Sequence, residues 1–171
     1  MPDTELLKAW RELLDQAGFK TDWLERNDQR PYDAILLHVP GGEGAGVCAV
    51  HINLMPIQGD TQGSGLAQII AQLPQTIVEG QEGSTLVVCN HVNRRILMGH
   101  FMTGPGGTLF FRHTFYVNHR TSMELKVLMM DQRIGLMLHT LQRMWEPLGR
   151  IATKQVSVRE AIGIVEHNMQ G

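Results

Sequence analysis

The chain has 171 residues, 43% of them hydrophobic, with 15 lysines and arginines against 17 acidic residues. That length suits one domain able to bury a real core, and the composition excludes a disordered chain. A net charge of −2 with no long block of either sign excludes a basic stripe for nucleic acid or a patch for anionic membranes.

The opening MPDTELLKAW lacks a basic region followed by an apolar stretch, so no signal peptide is expected. No run approaches the roughly 18 apolar residues of a membrane span, and a cytoplasmic location is the expectation. Cys48 and Cys89 are the only cysteines. They are too few for a disulfide framework and read as buried thiols.

In chain order, the first element is a helix over 4–17. Asp3 can cap it, Leu6, Leu7, Trp10, Leu13 and Leu14 recur at helical spacing, and Gly18 supplies a stop. Residues 20–31 are polar and read as a connector ending at Pro31. Strands follow over 33–39 and 47–54. In the first, Ile35, Leu37 and Val39 oppose Leu36 and His38; in the second, Cys48, Val50, Ile52 and Leu54 oppose His51 and Asn53. The intervening PGGEGAG has neither G-x-G-x-x-G nor the Walker Lys-Ser/Thr pair and reads as a hairpin connection.

After the polar loop 56–65, LAQIIAQL (66–73) alternates as a third strand that Pro74 ends. The run from Ser84 to Arg94 is ambiguous. TLVVC favours a strand, while Ser84 as N-cap and a stripe of Leu86, Cys89, Asn90 and Asn93 favour a helix. RILMGHFM (95–102) and TLFFRHTFYV (108–117) flank TGPGG as a β-hairpin. On the second of these strands Leu109, Phe111, His113, Phe115 and Val117 share one face. Phe110, Arg112, Thr114 and Tyr116 share the other, and both faces are apolar-rich.

Thr121 and Glu124 form a capping box for a helix over 122–146, with Val127, Met130, Ile134, Met137, Leu141 and Met144 as its buried stripe. Pro147 is the expected stop, and Gly135 suggests close approach of another backbone. Ser157 and Glu160 cap a final helix with Val158, Ala161, Ile162 and Val165 inward.

LVVCNHVNRRILMGHF, then TGPGGTLFFRH, then TSMELKVLMMDQRIGLMLHTLQRMW resembles the carboxyl-terminal half of the YbjN and type III secretion chaperone-like group. There a helix ending in asparagine leads to a strand with Gly-x-Phe, here Gly99 and Phe101. A turn, a strand with a Phe-Arg pair (Phe111 and Arg112) and a long amphipathic helix follow. The resemblance implies an α+β fold in the order α-β-β-β-α-β-β-α with five antiparallel-rich strands, and it makes 84–94 helical. It covers residues 3–148, so the expected organisation is one chaperone-like domain over 1–149 with a helical extension over 150–171. Secretion chaperones of this group are strongly acidic, whereas this chain is nearly neutral.

Chemical alternatives are weaker in the residues. Cys89 with His91 or His100 matches no protease or redox spacing, and on a helix Cys89 and His91 face different ways. Eight histidines bring no H-E-x-x-H or C-x-x-C, so neither metal nor cofactor is expected. Arg94, Arg95 and Arg112 could hold an anion, although exposed arginines are ordinarily solvated. The functional expectation is a non-enzymatic, chaperone-like regulator that binds a protein or peptide as a homodimer. The alternative is a small-ligand or enzymatic domain with a histidine-lined pocket. For the first, the partner surface falls on Phe110, Arg112 and Tyr116, residue types enriched at interfaces.

Overall fold

The computed structural model describes residues 2–41, 46–59 and 64–170, and side chains from Thr4 onward. The loop residues 42–45 and 60–63 lie outside the described residues, and of Asp3, the proposed cap, only the backbone is described, already within the first helix. Helix α1 (Pro2–Gln16) buries Leu6, Leu7, Trp10 and Leu14, the spacing of an amphipathic helix with one covered face. It ends at Gly18, whose φ of 84° lets the Phe19 N–H reach the Leu14 carbonyl at 3.1 Å.

Strands β1 (Lys20–Leu24), β2 (Ala34–Pro40), β3 (Val47–Pro56) and β4 (Gly65–Thr76) precede helix α2 (Glu82–Asn93). Then come β5 (His100–Gly104), β6 (Thr108–Val117), helix α3 (Met123–Ala152) and helix α4 (Val158–Gln170). The protein is thus α+β, with four helices and an antiparallel six-stranded sheet in the order β1-β2-β3-β4-β6-β5.

The expected five strands become six because β1 occupies the first part of the supposed 20–31 connector. It pairs antiparallel with β2, Lys20 opposite His38 and Leu24 opposite Ala34. An edge strand buries little, so KTDWL carries no apolar alternation; its backbone ladder holds it.

The chain divides into two compact units. Unit 1 comprises residues 1–39, 49–70 and 113–135; unit 2 comprises 40–48, 71–112 and 136–171. In unit 1, α1 packs its Trp10 ring against Phe115, 6.4 Å between centroids, and the Trp10 indole N–H donates to the Lys126 carbonyl at 3.1 Å. Ile35, Leu37, Val50, Ile52 and Ile69 are buried beneath.

In unit 2 the run from 84 to 93 is helical, within α2, and Arg94 is its C-cap. Its buried stripe is Thr85, Val88, Cys89 and Val92, not the expected Leu86, Cys89, Asn90 and Asn93. The N-cap is Gln81 rather than Ser84. Residues 95–99, expected in a strand, form a turn. There the Asn93 amide accepts from the Phe101 N–H at 2.7 Å and donates to the Phe101 carbonyl at 2.9 Å. Gly99 has a φ of 67°, and a Cβ there would lie 2.3 Å from Phe111 Cζ. Phe101 meets Phe111 edge-on at 5.2 Å.

Two expected stops do not act as stops, and one expected close approach is absent. Pro74 lies within β4, exposed near its end, where one missing ladder donor is tolerated. Pro147 lies inside α3. A proline there cannot donate to the carbonyl four residues back, that of Arg143. Asn168 Nδ2 of α4 donates to that carbonyl instead, at 2.6 Å, so the helix continues to Ala152. Gly135, expected at a close backbone approach, is exposed, with no atom within 4 Å of where its Cβ would stand.

The first capping residue of α3 is Ser122, whose hydroxyl accepts from the Leu125 N–H at 3.4 Å, in place of Thr121. The second capping box is present. The Ser157 N–H donates to Glu160 Oε2 at 2.8 Å and the Glu160 N–H to Ser157 Oγ at 3.3 Å.

Candidate functional site

Strand β6 alternates cleanly. Leu109, Phe111, Phe115 and Val117 are buried. On its other side Phe110 is half-buried, Arg112 and Thr114 are exposed, and Tyr116 is 50% exposed. The expected partner residues Phe110, Arg112 and Tyr116 therefore project from one side of one strand. Tyr116 belongs to unit 1, Phe110 and Arg112 to unit 2.

Phe110 also has a local duty. Its ring lies over Gly104 of the paired strand β5, where an added Cβ would come within 2.5 Å of Phe110 Cε2. An aromatic ring over a strand glycine shields backbone that the glycine leaves bare.

In unit 1 the outward side of the sheet is mixed. Leu36 of β2, Met55 of β3, and Leu66 and Ile70 of β4 are half-buried there, alternating with the fully buried set. The side-chain amide oxygen of Asn53 on the same side is buried and has no hydrogen-bond donor among the described residues. His38 donates to Asp22 at 3.0 Å. The imidazole of His51 is held below its ordinary pKa, first by burial and then by the charges of Arg30 and His38.

The cysteines are placed for packing. Both are completely buried, and burial pushes each thiol up to about 12. At neutral pH neither supplies the thiolate that nucleophilic chemistry requires. His91, once paired with Cys89 as a possible base, donates to Glu166 at 2.8 Å. Arg95 donates to the same carboxylate oxygen at 2.7 Å, so its charge is committed within unit 2. Among the described residues no three His, Cys, Asp or Glu side chains gather as metal ligands, and no helix is long and apolar enough to cross a membrane.

The outward aliphatics Leu36, Met55, Leu66 and Ile70 were not singled out from the sequence as a surface. Their signal was present as strands apolar on both faces, but only the strand order places Leu36, Met55 and Ile70 on adjoining strands. The sequence matches no protein-family model and no curated protein.

Proposed function

We propose that this chain is a non-enzymatic, chaperone-like regulator that holds a partner polypeptide on the outward side of its sheet. One observation carries the reading. Leu36, Met55, Leu66 and Ile70 remain half-buried on the outward side that also carries the half-exposed Tyr116, where an open antiparallel face normally turns polar residues to water. An extended segment laid on such a face gains apolar burial. On unit 2's stretch of β6, Phe110 and Arg112 are by themselves residue types that anchor interfaces.

The succession of α2, β5, β6 and α3, with Asn93, Gly99 and Phe101 at its first junction, supports likeness to the YbjN and type III secretion chaperone-like fold. A homodimer in the cytoplasm belongs to the same reading. The experiment compares wild type with Phe110→Ala/Tyr116→Ser for self-association by light scattering and for partner capture from host lysate. Loss of dimer or partner with an unchanged thermal midpoint supports the site. Because Phe110 covers Gly104, Tyr116→Ser alone is the cleaner variant. If it leaves both association and capture as in wild type, the sheet face is bare surface and the reading fails.

A further inference from the structure

Unit 2 holds a cleft that the sheet does not form. Because α3 runs on past Pro147 and Asn168 ties α4 to the Arg143 carbonyl, Met169 is brought beside α3. The turn that leads into β5 closes the remaining side. Ile96, Leu97, Leu136, Met144 and Met169 form the apolar lining of a cleft of about 240 Å³. Leu97 stands at its lip, 92% exposed.

The polar lining is of one sign. Arg95, His139, Thr140 and Arg143 face the cleft, and no carboxylate lines it. The Thr140 hydroxyl is spent on the Leu136 carbonyl at 2.8 Å and the Arg95 guanidinium on Glu166. The Arg143 guanidinium has no ion pair or hydrogen bond among the described residues. One uncommitted cation therefore sits at the edge of an apolar hollow.

Size narrows the occupant. Small-molecule and cofactor sites run to about 300–1,000 Å³, so this hollow suits one or two side chains. Methionines at positions 144 and 169 adapt their shape to different aliphatic groups. We propose that the cleft binds a polypeptide segment carrying a bulky aliphatic side chain next to a carboxylate. The aliphatic group fills the Ile96, Met144 and Met169 lining, and the carboxylate pairs with Arg143. This rests on the reading of the chain as a polypeptide binder, but at a site distinct from the sheet.

The test uses fluorescein-labelled peptides with a Glu-Leu-Leu-Glu, Lys-Leu-Leu-Lys or Glu-Ser-Ser-Glu centre, titrated with the full chain and followed by anisotropy. Wild type should bind the first and neither of the others. Arg143→Ala should weaken binding about tenfold or more, the loss of one charge-assisted contact. Leu97→Ser should weaken it several-fold, and Arg94→Ala should leave it unchanged. Arg143→Glu should take up the Lys-Leu-Leu-Lys peptide, which keeps the proposal testable if the alanine variant folds poorly. Failure of wild type to bind, equal binding by Arg143→Ala, or displacement of the peptide by hexanoate at equal affinity overturns the cleft assignment. If Tyr116→Ser abolishes binding while Arg143→Ala does not, the peptide lies on the sheet. The cleft then fails and the polypeptide-binding reading stands.

Discussion

Each unit buries one tryptophan, and the two are held differently. Trp10 of unit 1 is fully buried and its indole N–H is satisfied by a carbonyl 116 residues away in sequence, so one side chain both packs and ties. Trp145 of unit 2 is 7% exposed, and its indole N–H finds no acceptor among the described residues. Unit 2 places its polar ties elsewhere: at the turn after α2, through Asn93 and Phe101, and at the α3–α4 contact, through Asn168 and Arg143. Burial alone therefore does not rank the two indoles. What each N–H does on folding decides which one is costly to lose.

The sharpest break is expected at unit 2's turn. Gly99→Ala puts a methyl 2.3 Å from Phe111 Cζ at a backbone conformation that disfavours a side chain. It should cost about 4 kcal/mol or prevent folding, read by urea denaturation. Next comes Trp10→Phe, which removes packing and leaves the Lys126 carbonyl without the indole, at about 2–3 kcal/mol. Trp145→Phe should cost about 1 kcal/mol or less, because it also removes a donor without an acceptor. If the two tryptophan variants lose equal stability, the contrast between the units collapses.

The proline in α3 offers a finer test. Asn168→Ala should cost about 1–2 kcal/mol in the natural sequence, since it strips the Arg143 carbonyl of the donor that stands in for the missing proline amide. In a Pro147→Ala background the restored backbone N–H reaches that carbonyl, and the same change should cost much less. Additive losses in this double-mutant cycle would show that the side chain does not stand in for the missing amide.

The smallest effect is one of pH, in unit 1. His51 is held below its ordinary value of 6.5, so the folded state takes up a proton less readily than the unfolded chain. The stability tied to it is fully present above that value and is lost as pH falls through it toward the depressed folded value. His51→Asn should flatten this part of the acid slope, measured as urea midpoints on either side of pH 6.5. An unchanged slope would mean that neither burial nor the charges of Arg30 and His38 depress the ring in solution.

Much of the scaffold was legible in particular residues. Strand β6 was readable because ten residues alternate without interruption, and α4 because Ser157 and Glu160 bracket its first turn. Strand β1 was not, because an edge strand is held by its backbone ladder to β2 and KTDWL advertises no face. Of the proposed partner residues, alternation along β6 put Phe110, Arg112 and Tyr116 on one side. It could not show that Phe110 also covers Gly104, a contact across a hairpin. The cleft was invisible in the sequence: Arg95, Arg143 and Met169 belong to three separate stretches.

The sequence by itself determined what depends on neighbours a few residues apart: the buried faces of α1 and α3, the buried alternation of β2, β3 and β6, and the second capping box. Tertiary structure alone decided where the backbone's unpaired groups found partners. Pro147 reads as a helix end because its own amide is missing. It became helix interior because Asn168, 25 residues from Arg143, brought the donor that the local sequence lacks. The helix or strand character of 84–94 was open for the same reason. Its valines suit a pleated sheet, and what holds the helix in place is Asn93 clasping the backbone of Phe101, a bond that exists only once β5 is in position.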